Sequence, residues 1–165
     1  MENKKYVKGA LEVADTQVLK QMMEPYWLEI IPHSDVIQDH AKRERYFTDR
    51  FEPKTRKGYL GTVEDKPMGF VVLSIYLEKQ FATIDDFYVL PEMRRKGYGT
   101  VMVQAIYKLL DQQNIERIDL TVRRDTPQAL AFWEAQGFRI AHYQLRQYRD
   151  PENGASFIGA LSSEF

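Results

Sequence analysis

Ile84-Asp85-Asp86-Phe87-Tyr88-Val89-Leu90-Pro91-Glu92-Met93-Arg94-Arg95-Lys96-Gly97-Tyr98-Gly99-Thr100 carries the chain from an apolar strand ending at Val89, through a short loop, into an amphipathic helix. Gly97 and Gly99 at the mouth of that helix let bare backbone N–H groups approach a ligand, and a helix N-terminus favours an anion. Arg94, Arg95 and Lys96 add three adjacent positive charges. The stretch reads as a diphosphate-binding turn. A dinucleotide fingerprint would need a third glycine at position 102, which is Met, and a nucleotide-hydrolase loop would need Gly-Lys-Ser or Gly-Lys-Thr.

Strand and helix signals extend in both directions from the turn. Residues 5–11 suit a first strand, and Asp15 or Thr16 can cap a helix through Leu19 and Met23 that ends near Pro32. A charged second helix is expected from Ser34 to about Phe51, on the surface beside an opening. Gly58–Glu64 and Met68–Leu77 flank Asp65-Lys66-Pro67 as a hairpin, and Ala82–Leu90 is the next strand. The helix from the glycines runs over 98–112 with a stripe of Met102, Ile106 and Leu109. A strand at 117–123 should lie parallel to 82–90, which places a ligand beyond the carboxyl end of the latter. Thr126-Pro127 opens a short helix that Gly137 closes, and Phe138–Tyr148 and Ser156–Leu161 read as two closing strands about the Asp150–Gly154 turn. The expected fold is α/β, with a mixed, mostly antiparallel sheet of about seven strands, a central parallel pair and about four helices.

The 165 residues suit one domain, 1–165, and the net charge of −1 gives no reason to expect nucleic acid or an anionic membrane as partner. With no cysteine, disulfides, thiolate metal sites and a cysteine nucleophile are excluded, and a reducing cytoplasm is expected. His33, His40 and His142 are too scattered to suggest a metal site.

A second motif follows the turn at a fitting distance: Thr126-Pro127-Gln128-Ala129-Leu130-Ala131-Phe132-Trp133-Glu134-Ala135-Gln136-Gly137-Phe138. With Arg94-Arg95-Lys96-Gly97-Tyr98-Gly99, it resembles the GNAT superfamily of N-acetyltransferases, whose acetyl-CoA motif is Gln/Arg-x-x-Gly-x-Gly/Ala. The resemblance implies that the backbone of Arg95, Lys96, Gly97, Tyr98, Gly99 and Thr100 cradles the CoA pyrophosphate, with the Arg94 side chain near the turn. It implies that the pantetheine arm bonds to backbone around Phe87, Tyr88 and Val89, and that Thr126 and Trp133 lie beside the acetyl end. Thr126 stands where Asn is usual. Trp133 stands where many members carry a tyrosine that protonates the departing thiolate, and indole is no useful acid near neutral pH. Tyr143 and Tyr148 are the substitutes.

Asp85 and Asp86 are neighbours on a strand expected to be covered on both faces, where an aspartate is costly unless paired or open to a cleft. Their strand is similar to that of the spermidine/spermine-type diamine acetyltransferases, in which an acid is the proposed base. An alkyl amine of pKa ~10.4 is about 99.9% protonated near pH 7 and needs such a base. The other reading is that an aspartate pairs with an arginine. Tyr26, Trp27, Glu29, Asp35 and Asp39 fall where the family builds its acceptor pocket. The expected function is transfer of an acetyl group from acetyl-CoA to a primary amine of a small molecule or peptide. It proceeds by direct attack in a ternary complex, without a metal, in a possible homodimer. The alternative is a non-catalytic acyl-CoA-binding or sensor domain.

Overall fold

A computed structural model describes residues 9–145, which divide into two compact units with the boundary between Thr121 and Val122. The first is a five-stranded sheet in sequence order: β1 (Gly9–Val13), β2 (Arg56–Val63), β3 (Lys66–Tyr76), β4 (Phe81–Val89) and β5 (Arg117–Leu120). Its helices are α1 (Thr16–Ile30), the single turn α2 (Asp35–Gln38), α3 (His40–Phe51) and α4 (Tyr98–Asp111).

Strand β3 is buried from Met68 to Leu73 because helices cover both faces of the sheet. Leu19, Met23 and Trp27 of α1 and Phe47 of α3 pack on one face, against Phe70, Val72 and Tyr88. Met102 of α4 packs on the other, with Val63 and Met68. Trp27 is 1% exposed and meets Tyr46 and Phe47 edge-on, so it is part of the core.

Several expectations change in detail. The charged second helix is broken at Asp39, whose carboxylate accepts from Lys42 N–H at 2.9 Å and caps α3, so the run from Ser34 forms two pieces. The hairpin turns at Glu64 and Asp65, both at positive φ, and Pro67 already lies within β3 opposite Thr62. The strand expected at 5–11 is seen over Gly9–Val13, and its earlier residues lie outside those described.

Strands β1 to β4 pair antiparallel, and β4 pairs with β5 in parallel. Among the described residues β5 is the last strand of the sheet, and the parallel pair is the outermost of those seen. The seven expected strands become five here. Residues 138–145 form no strand, and 146–165, with the expected Asp150–Gly154 turn and Ser156–Leu161 strand, lie outside the described residues.

The parallel ladder ends at Ile84↔Leu120, whereas the antiparallel β3–β4 ladder runs on to Gly69↔Val89. Strand β4 therefore continues for five residues, Asp85–Val89, past the end of its pairing with β5. The β3–β4 approach there is close: a Cβ on Gly69 would lie 2.0 Å from the Tyr88 carbonyl oxygen. Gly69→Ala is expected to cost ~3 kcal/mol, read as a lowered urea midpoint with an unchanged slope.

The second unit carries α5 (Pro127–Ala135). Gly137 (φ 99°) ends it: its N–H bonds the Glu134 carbonyl at 3.0 Å, and the Phe138 N–H bonds that of Trp133 at 3.1 Å, the two bonds of a Schellman close. Thr126 holds the N-cap position, but its hydroxyl donates back to the Arg123 carbonyl at 2.8 Å and does not cap the helix.

Candidate active site

The glycine turn has the geometry of an anion cradle. Gly97 is the N-cap of the 14-residue α4 at φ 83°, with no side-chain cap, and Arg95 before it also stands in the left-handed region at φ 60°. A chain that alternates in and out of this region turns successive N–H groups to one side. Among the described residues a Cβ built on Gly97 meets nothing within 4 Å, so the space beside this cap is open. Arg95 and Lys96 are exposed, and the Lys96 ammonium donates to the Glu92 carbonyl at 2.7 Å. These donors suit a diphosphate bound by backbone amides and neutralised by cations. Phe87, Tyr88 and Val89, expected along the pantetheine, belong to the five residues that outrun β5.

Arg94 is held away from an exclusively phosphate-facing role. Its Nε donates to the Val89 carbonyl at 2.9 Å, and its two terminal nitrogens donate to the two Glu29 carboxylate oxygens at 3.0 and 2.8 Å. Its guanidinium carbon lies 5.1 Å from the centroid of the Tyr88 ring. The Glu29 carboxylate raises the Arg94 pKa still further. Burial, with Glu29 nearby, raises that of the Tyr88 phenol.

The aspartate pair is the feature that sequence alternation describes least well. Val72 pairs with Asp86 and Leu73 with Ile84, which leaves Asp85 as the extra residue of a β-bulge. The bulge joins both carboxylates to one network. Arg50, near the end of α3, bonds Asp86 Oδ2 through Nε at 2.8 Å and through Nη2, while the Tyr26 hydroxyl donates to Oδ1 at 2.9 Å. Arg56, at the start of β2, donates from Nε to Asp85 Oδ2 at 2.8 Å and from Nη1 to the Arg50 carbonyl at 2.9 Å. Ser74 and Thr83 hydroxyls complete the Asp85 shell at 2.5 and 2.6 Å. Two carboxylates thus face two guanidiniums. Both aspartates have the arginine partner that the structural reading of the pair required.

Asp86 is 8% exposed. Burial raises its pKa above the ordinary aspartate range, opposed by Arg50 and by the Tyr26 hydrogen bond. Burial and the facing carboxylate push the Tyr26 phenol well above its usual range, so it donates a hydrogen bond but is no acid near neutrality. Arg50 and Arg56 were not singled out from the sequence. They lie 36 and 29 residues from their partners, and nothing local marks them as more than surface cations.

In the second unit, Trp133 is buried against the rings of Phe132 and Phe138, at centroid distances of 5.0 and 5.2 Å. Tyr143 is 83% exposed, and Tyr148 lies outside the described residues.

A helix whose glycine cap opens on a cationic turn thus follows a strand that outruns its parallel neighbour. The model of the acetyltransferase (GNAT) family matches residues 19–138, and the chain belongs to that family. It is similar to the [ribosomal protein bS18]-alanine N-acetyltransferase of Salmonella typhimurium, 25% identical over 87 residues. That match covers 53% of this chain and 57% of the relative, so the chain spans little more than half of that protein's length. Among solved structures, YycN of Bacillus subtilis, a provisionally assigned acetyltransferase, superposes with a TM-score of 0.70 at 16% identity, over 86% of this chain and 98% of that one. The aminoglycoside N-acetyltransferase AAC(6')-Iy, solved with CoA, gives 0.62 at 10% identity, over 90% and 98%. At these identities the two structures speak for the fold.

Proposed function

We propose that this protein is an acetyl-CoA-dependent N-acetyltransferase acting on a primary amine of a small molecule or peptide. The observation that carries the reading is the uncapped, left-handed Gly97 turn with open space before it, at the foot of a strand that continues past its parallel partner. The family match runs unbroken across the boundary between the two units, which supports reading 1–165 as one acetyltransferase domain. Such an enzyme would work in the cytoplasm, where acetyl-CoA is plentiful.

Acetyl-CoA supplies an activated acetyl thioester. In this reading the amides of Arg95–Thr100 bind its diphosphate, and the backbone of Phe87–Val89 aligns the thioester. Asp86 takes the proton of the incoming ammonium, directly or through water, so that the nitrogen lone pair can form the new C–N bond as the C–S bond breaks. Asp86 suits this better than Asp85 because burial raises its proton affinity, whereas two hydroxyls and Arg56 hold Asp85. Asp85 then positions the network. A thiol of pKa ~8.5 is a good enough leaving group for the departing thiolate to take its proton from water, with no dedicated acid.

Calorimetry with acetyl-CoA, followed by thiol release across a panel of polyamines, aminoglycosides, amino acids and peptide N-termini, tests the reading. Turnover is expected with at least one amine, and its acid limb should lie above the ordinary aspartate pKa. Asp86→Asn should lower kcat by about a hundredfold and remove that limb. Full activity of Asp86→Asn at every pH would remove Asp86 as the base, and the absence of acetyl-CoA binding would remove the reading altogether.

A further inference from the structure

The Arg94 side chain lies at the foot of the anion cradle yet forms a three-way junction elsewhere. One guanidinium reaches the end of β4 through the Val89 carbonyl, the last turn of α1 through both Glu29 oxygens, and the Tyr88 ring. A planar fork that meets a carboxylate with two nitrogens fixes orientation as well as distance. Three residues earlier on α1, Tyr26 is bonded to Asp86. The end of α1 therefore has two polar anchors on β4, one at the aspartate pair and one at the Arg94 junction.

We propose that the Glu29–Arg94 pair is a strap coupling the cofactor turn to the acceptor-side end of α1, with Arg94 acting as a positioning residue and not as a diphosphate ligand. The proposal rests on the reading that acetyl-CoA occupies the Gly97 turn. Arg94 has an extended backbone, and the very next residue, Arg95, adopts the left-handed conformation that aims the turn's amides. A ligand that stiffens those amides stiffens the base of the Arg94 side chain, and the bidentate contact passes the constraint to α1. Coupling is reciprocal: an acceptor that orders the end of α1 tightens acetyl-CoA by the same factor.

Hydrogen–deuterium exchange of the amides of residues 26–30, in the full chain with and without acetyl-CoA, tests this beside calorimetry. Without ligand, Glu29→Gln and Arg94→Gln should each speed exchange there, by about fivefold and to the same extent. In the wild type, acetyl-CoA should slow exchange at 26–30. In either variant that protection should vanish while acetyl-CoA still binds with nearly wild-type affinity. A double exchange of the pair, Glu29→Arg with Arg94→Glu, should restore part of the protection. If Arg94→Gln weakened acetyl-CoA at least tenfold while Glu29→Gln changed neither affinity nor exchange, Arg94 would be a diphosphate ligand and the strap would be refuted. Wild-type binding without protection of α1 would refute the strap and leave the functional reading standing. Failure of the wild type to bind acetyl-CoA would take both away.

Discussion

Gly97→Val is expected to weaken acetyl-CoA binding by about a hundredfold, the equivalent of two charge-assisted hydrogen bonds lost. Two causes act together. At φ 83° a β-branched side chain is strained, and its methyl groups would project into the open space before the turn, where a Cβ meets nothing within 4 Å. Gly97→Asn separates them, because asparagine tolerates the left-handed region while still filling the space. If blocking the cradle is the main cause, Asn should retain the thermal midpoint and lose most of the affinity. If strain is the main cause, Asn should retain both. Wild-type affinity in the Val variant would move the diphosphate away from this turn.

Arg50→Gln is expected to destabilise the fold by ~3–5 kcal/mol, because it leaves Asp86 buried without its cation. The neighbouring positive charge that opposes burial is lost, so the carboxyl of Asp86 rises further above the ordinary aspartate value. An acid whose folded pKa is raised binds its proton more tightly in the folded state. The penalty is therefore absent below the unfolded value, about 3.9, and grows as pH rises from there through the raised folded value. Urea midpoints should show Arg50→Gln nearest to wild type in acid and furthest from it near neutrality. Arg50→Gln combined with Asp86→Asn should regain part of the loss, since no uncompensated charge then remains buried. A pH-independent deficit of the same size in single and double variants would show that Arg50 stabilises only by packing.

The glycine turn was legible because its chemistry is local: glycine conformation, adjacent cations and a helix start all fall within a few residues. The closing glycine of α5 was legible for the same reason. The resemblance points to Trp27 only by its place on α1, and its packing against Tyr46 and Phe47 of α3 is a long-range contact that no local pattern announces. The aspartate pair was half legible. Its cost in a covered strand was evident, but the compensation comes from Arg50 and Arg56 across a bulge, and strict alternation has no place for a bulge. The break at Asp39 had its signal in the sequence, a capping residue amid charges, which the continuous charge pattern outweighed.

The unequal lengths of the two ladders flanking β4 have a practical consequence for redesign. Up to Ile84 the strand is braced from both sides; from Asp85 to Val89 its remaining ladder is the one with β3. That stretch is paired along Gly69–Val72, which in the proposed reading meet neither acyl donor nor amine. Libraries intended to change acyl-chain tolerance should therefore vary the backing strand first, with Phe70 and Val71 as the adjusting screws and Gly69 left untouched as the fulcrum.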